Sequence, residues 1–210
     1  MNTISIRPGA PDDAGVLRRV FEYASHGLSP YLWRKSAGPE QDYDSFVQSR
    51  MISKIEDPEQ DFKIAEFDGR TAGGILTYRI SGSQSLEGAS PMERSFLKVD
   101  NGLCPSVYVN AIAVFPEYRR LGVASAMLAN ARNEAAKSDL PISLSVCDAN
   151  PGAIETYETN GYRHAGQVPM VKEDWTGDGS RWLLMVNDTL CAWRSAEQTN
   201  GNALSNPIEA

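Results

Sequence analysis

Apolar and polar positions divide the chain into alternating and helical stretches. Residues 3–7 alternate as a short strand. Pro11-Asp12-Asp13 has the form of a helix's first turn, a ring-fixed φ with two acids at the positive end, and Leu17, Val20, Phe21 and Ala24 then share one face. Gly27 and Pro30 stop that helix, so residues 28–38 read as a punctuated loop carrying Tyr31 and Trp33. Val47, Met51 and Ile55, spaced by four, predict a second helix over 43–56, which Pro58 closes. Strands over 63–67 and 72–80 flank Asp68-Gly69, the signal of a type I′ hairpin. Residues 81–105 read as a long irregular insert, of the length used for a lid or a contact surface. Residues 107–114 are apolar except at Tyr108 and Asn110 and predict a central strand covered on both faces. After a turn at Pro116-Glu117, the face formed by Leu121, Ala124, Leu128, Ala131 and Ala135 predicts a helix from 121 to about 138. A buried strand at 142–146, a short helix at 153–160 and a strand pair at 164–171 and 181–187 complete the order β-α-α-β-β-β-α-β-α-β-β. Residues 1–190 thus read as one domain, and 191–210, polar and rich in Asn, as a disordered tail.

Composition narrows the function. At 210 residues with 41% hydrophobic positions, the chain can bury a core without staples. Its 20 basic against 27 acidic residues run against a phosphate-backbone binder, so no nucleic-acid partner is expected. No apolar run reaches the roughly 18 residues of a membrane span. Cys104, Cys147 and Cys191 are odd in number and widely spaced, which fits a reducing, cytoplasmic setting and no disulfide framework. Two histidines cannot anchor a usual zinc cluster, and neither an HExxH nor a GxSxG motif occurs, so no metal is expected.

The informative segment is Val114-Phe115-Pro116-Glu117-Tyr118-Arg119-Arg120-Leu121-Gly122-Val123-Ala124, a strand running through a turn into a helix. A helix N-terminus offers unpaired N–H groups and a positive dipole end, and small residues at Gly122 and Ala124 let a pyrophosphate approach the backbone. The segment lacks the GK[ST] of a nucleotide P-loop and the GxGxxG of a dinucleotide fold.

Arg119-Arg120-Leu121-Gly122-Val123-Ala124 resembles motif A, [QR]-x-x-G-x-[GA], of the GNAT acyl-CoA-dependent N-acetyltransferases. The run from Asn150 through Ala153 and Tyr157 to Gly161-Tyr162 is similar to that family's motif B, and Ile4-Ser5-Ile6-Arg7-Pro8 before Pro11-Asp12-Asp13 to its usual opening. The likeness spans residues 3–187. It implies an α/β (α+β) fold with a seven-stranded, mixed, mostly antiparallel sheet flanked by about four helices. It also implies acetyl-CoA as donor, with its pyrophosphate on the backbone amides of Arg120, Leu121, Gly122, Val123, Ala124 and Ser125 and with Arg119 beside them. Ile112, Ala113 and Val114 would flank the pantetheine arm, Ala113 or a neighbour would hold the oxyanion, and Asn150, Ala153 and Tyr157 would line the same cleft. Tyr157 stands where the family places the general acid that protonates the departing thiolate. A phenol of pKa about 10 can serve a thiolate of about 8.5 when the two are held in contact.

The implied acceptor is a primary amine, in a pocket built from Tyr31, Trp33, Tyr108, Asn110, Met170 and Trp175. Tyr31 and Trp33 are open to a second use, packing the second helix. The attacking amine needs a base, yet the strand before motif A carries Tyr108 and Asn110 where some members carry Glu. Glu22, His26, Glu87 and Glu93 are candidates by chemistry alone, whereas Cys147, in an apolar strand, reads as an inert core thiol. The alternative function is an acetyl-CoA-binding module without turnover, and a homodimer would be in keeping with the family.

Overall fold

Strands with period-2 alternation pair into one sheet, and helices with an apolar stripe cover it. The computed structural model describes residues 2–189. Seven strands, β1 (Ile4–Pro8), β2 (Gln60–Phe67), β3 (Arg70–Ile80), β4 (Ser106–Val114), β5 (Ile142–Cys147), β6 (Arg163–Pro169) and β7 (Arg181–Asn187), lie in the order β1-β2-β3-β4-β5-β7-β6. Every neighbouring pair is antiparallel except β4 and β5. Six α-helices accompany them: α1 (Ala14–Ala24), α2 (Leu28–Ser36), α3 (Tyr43–Glu56), α4 (Pro91–Gly102), α5 (Val123–Ala136) and α6 (Pro151–Thr159). The expected tail, residues 191–210, and Cys191 within it lie outside the described residues.

Alternation sorts the core onto the two faces. Ile75, Val109, Leu144 and Met185 meet Val123, Met127 and Leu128 of α5 on one side, while Ile64, Leu76 and Ala111 meet Leu17, Val20 and Met51 of α1 and α3 on the other. Among the described residues, no helix is long and apolar enough to cross a membrane, and no group of three or more His, Cys, Asp or Glu could hold a metal ion.

The structure departs from the sequence reading at three helices. Residues 28–36 form α2 rather than a loop, because Pro30 is only its third residue, within the first turn, where a missing N–H breaks no intrahelical bond. The insert holds α4, started by a capping box in which Ser90 Oγ accepts from the Glu93 N–H and the Glu93 carboxylate accepts from the Ser90 N–H. That helix packs by Val99 and Leu103 against Tyr108, Val168 and Leu184 and is tied down by Ser95 Oγ donating to the Pro169 carbonyl at 2.9 Å, so it backs the sheet and is not a lid. Finally, α5 begins at Val123 rather than 121, since Arg120 and Gly122 take left-handed backbones, with φ 64° and 82°.

Two details open the centre of the sheet. The parallel pairing of β4 with β5 covers only Val107–Val109 against Ile142–Leu144. At that point the β3–β4 register slips, from Leu76 opposite Ala111 to Thr77 opposite Val109, and leaves Asn110 as the extra residue of a bulge. A bulge bends its strand and sharpens its twist, so β4 parts from β5 immediately beyond it. Gly73 keeps β4 close on the other side: a Cβ there would lie 2.2 Å from the Ala113 carbonyl oxygen.

Candidate active site

The parting of β4 and β5 leaves a cleft of about 800 Å³. Its walls come from residues 109–114 of β4, 144–147 of β5, the turn into α5, one flank of α6 and the end of α1. Alternation along β4 decides which amides face it. The Phe115 N–H donates to the Ala72 carbonyl at 2.8 Å, and the antiparallel register then turns the Ala113 and Ala111 N–H groups toward β3 as well. The amides of Ile112 and Val114 face the gap instead. Ala113 lines the cleft, but its neighbours carry the N–H groups that an oxyanion could use, which corrects the expectation that named Ala113 first.

At one end of the cleft the chain turns through Arg119–Gly122 into α5. The left-handed residues at Arg120 and Gly122, with Leu121 between them, aim successive N–H groups to one side, an arrangement that makes anion-binding concavities. No backbone or side-chain acceptor among the described residues takes the N–H groups of Arg120 through Ser125, and Gly122 offers no side-chain cap. These orphan donors at a helix N-terminus fit a pyrophosphate. Arg119 and Arg120 line the cleft here, the former with Nε donating to the Val114 carbonyl and its guanidinium over the Tyr23 ring. Leu121, by contrast, is exposed at the tip of the turn and does not line the cleft, so it can offer its backbone only.

Asn150, Ala153 and Tyr157 come together on the α6 side, as the motif spacing predicts. Asn150 caps α6, its Oδ1 accepting from the Ala153 N–H at 3.2 Å. The Tyr157 ring tilts against Tyr162 at 5.8 Å, and burial, with Tyr108 nearby, pushes its pKa above the usual phenol value. It therefore holds its proton throughout the neutral range.

The six expected acceptor-pocket residues separate. Asn110 and Trp175 line the cleft. Tyr31 lines a neighbouring cavity of about 480 Å³ that shares His26 and Trp175 with the cleft, and its hydroxyl donates to Glu173. Trp33 is core: it is buried edge-on against Phe21, because α2 places it under α1. Tyr108 is also buried, its hydroxyl 2.7 Å from Ser145 Oγ and its pKa pushed up by burial to about 12, so it supports the floor rather than the wall. Met170 sits in the β6–β7 hairpin and lines neither cavity. Of the four candidate bases, Glu22 is paired with Arg18, Glu93 caps α4 and Glu87 lies in the insert, all outside both cavities. His26 lines both.

Sequence reasoning did not single out Ser145, Trp182 or Glu155, which also line the cleft. Ser145 and Trp182 become wall residues only through the β5–β7 pairing, a long-range contact with no local signal.

The chain belongs to the GNAT acetyltransferase family: the model described as Acetyltransferase (GNAT) family matches residues 26–162. Solved structures share the fold. The ribosomal-protein-S18-alanine N-acetyltransferase from Escherichia coli superposes with a TM-score of 0.53 at 19% identity, covering 89% of this chain and 93% of that one. A spermidine N-acetyltransferase SpeG chimera from Vibrio cholerae and hSSAT gives 0.56 at 16% identity over 88% and 94%. The PaiA N-acetyltransferase from Thermoplasma acidophilum, solved in complex with coenzyme A, gives 0.51 at 16% over 88% and 98%. No curated protein matches the chain.

Proposed function

We propose that this protein transfers the acetyl group of acetyl-CoA to a primary amine by direct attack of that amine on the thioester. One observation carries the reading: a gap between two central parallel strands that leads to six unpaired backbone N–H groups at the start of α5. The N–H groups of Arg120 through Ser125 would hold the pyrophosphate, and β4 beyond the bulge would lie along the pantetheine arm as a strand beside a strand. The Ile112 and Val114 amides are then the backbone donors nearest to charge developing on the thioester oxygen. Tyr157, kept protonated by its burial, donates to the departing sulfur.

A second reading, an acetyl-CoA-binding module without turnover, draws on one feature of β4: its polar positions are Ser106, Tyr108 and Asn110, so the strand offers no carboxylate as base. Thiol release from acetyl-CoA separates the two, measured over spermidine, kanamycin, tyramine and an alanine-initiated peptide beside calorimetric CoA binding. Enzymatic transfer predicts accelerated release with one class of amine. In Tyr157→Phe that release drops about 10²–10⁴-fold while CoA affinity holds. Binding without release by any amine selects the module, and absence of CoA binding overturns both.

A further inference from the structure

Acetyl transfer moves a proton off the attacking nitrogen, and His26 is the histidine among the described residues that line the cleft. His26 follows the end of α1 with a left-handed φ of 48°, a region in which histidine is among the better tolerated side chains. It is held at two points. Its carbonyl accepts from Trp175 Nε1 at 3.2 Å, and Trp175 is itself stacked on Trp182 with the rings 2° from parallel. Its Nε2 lies 3.0 Å from Asn150 Nδ2.

The second contact fixes the tautomer. Because Asn150 Oδ1 is committed to the Ala153 N–H, the group turned toward His26 is the amide NH2, which can only donate. Nε2 is therefore the bare nitrogen with the free electron pair, and Nδ1 carries the hydrogen. His26 is a lining residue of both the donor cleft and the smaller cavity walled by Tyr31, Arg34 and Asp174, so it stands on the boundary the two share. Among the described residues lining the cleft the one carboxylate is Glu155, on the flank of α6 and exposed, as His26 itself is; His26 differs in being held by Asn150 and Trp175.

We propose that His26 is the base of the reaction, an inference that rests on the acetyltransferase reading above. As the neutral amine nitrogen bonds to the thioester carbonyl carbon, Nε2 leaves Asn150 and takes one proton from that nitrogen, directly or through one water. The C–S bond breaks, and the sulfur takes the phenolic proton of Tyr157. Afterwards His26 returns its proton, by way of water, to the Tyr157 oxygen, so the net change is one proton moved from nitrogen to sulfur.

The test is His26→Gly, which removes the imidazole at a backbone conformation glycine adopts without strain. With whichever panel amine the wild type acetylates fastest, thiol release is expected to fall about 10²–10⁴-fold. CoA affinity is expected to hold, and added imidazole to restore at least about tenfold of the lost rate. An independent readout is ¹⁵N NMR of the imidazoles in the CoA-free protein, simplified because the chain has two histidines. It should show His26 with a bare Nε2 in wild type and lose that single state in Asn150→Ala. Turnover within about threefold of wild type, loss without imidazole rescue, loss in Glu155→Gln in place of His26→Gly, or a protonated Nε2 in the neutral ring would each overturn the assignment. A wild type that binds CoA but acetylates no amine is seen before any substitution and refutes the acetyltransferase reading itself.

Discussion

Replacing Gly122 by alanine tests the phosphate cradle with a number taken from the backbone. Gly122 has φ 82° at the N-cap of α5, and a Cβ built there meets nothing closer than Ile4 Cδ1 at 3.9 Å. Sterics with neighbours therefore add nothing, and the cost is the left-handed conformation alone, about 1–2 kcal/mol for a residue with a Cβ. If the turn keeps its shape, that cost appears in folding: the midpoint of thermal unfolding drops about 2–4 °C per kcal/mol for a chain of this size, and CoA affinity is retained. If the turn relaxes instead, the Gly122 and Val123 amides swing away from the anion. Two hydrogen bonds to a charged group, each worth about 1.5–3 kcal/mol, are then weakened, and CoA affinity falls tenfold or more with little change in the melting midpoint. Thermal unfolding and CoA calorimetry on Gly122→Ala, with the exposed Leu121→Ala as control, distinguish these cases. Both quantities unchanged would refute the argument that the turn is strained and holds the ligand.

Two other predictions concern the fold. Burial raises the pKa of Tyr78, Tyr108, Tyr157 and Tyr162 above the ordinary phenol value, so the folded state favours their neutral form. Their contribution is fully present below the unfolded value of about 10 and is lost as pH rises beyond it. An alkaline titration followed by tyrosinate absorbance should show the two that are buried, Tyr108 and Tyr162, ionising only as circular dichroism reports unfolding; their ionisation in the intact fold would contradict the burial. Ser90→Ala removes the α4 capping box and should cost about 0.5–2 kcal/mol in denaturant unfolding, with no effect on CoA binding because α4 packs behind the sheet. A change in CoA affinity would place α4 at the cleft after all.

The local half of this architecture was legible in the sequence. Alternating or continuous apolar runs bounded by turn residues mark the seven strands, and the likeness of the Gly122 and Asn150-to-Tyr157 segments to the family's motifs points to both flanks of the cleft, because each signal is carried by neighbours in the chain. Where reading failed, a local rule was applied too strictly or a contact was distant. Pro30 reads locally as a helix stop yet sits within the first turn of α2, and Ser90 with Glu93 carries a capping-box signal inside a segment that reads as irregular. Trp33 and Tyr108 went to the core because packing against Phe21 and against Tyr78 is settled by tertiary structure. The roles of Ser145 and Trp182 at the cleft, and the bridge from His26 to Asn150 across 124 positions, left no trace in sequence spacing.

The most direct test of the account follows the acetyl group itself. Wild-type protein is incubated with acetyl-CoA labelled in the acetyl carbons and each panel amine in turn, and both the free thiol and the labelled amide are quantified by mass spectrometry. One amine is expected to gain label in a one-to-one ratio with released CoA, at a rate proportional to protein. Label that stays on CoA with every amine, or that reaches only acetate or the protein, would contradict it.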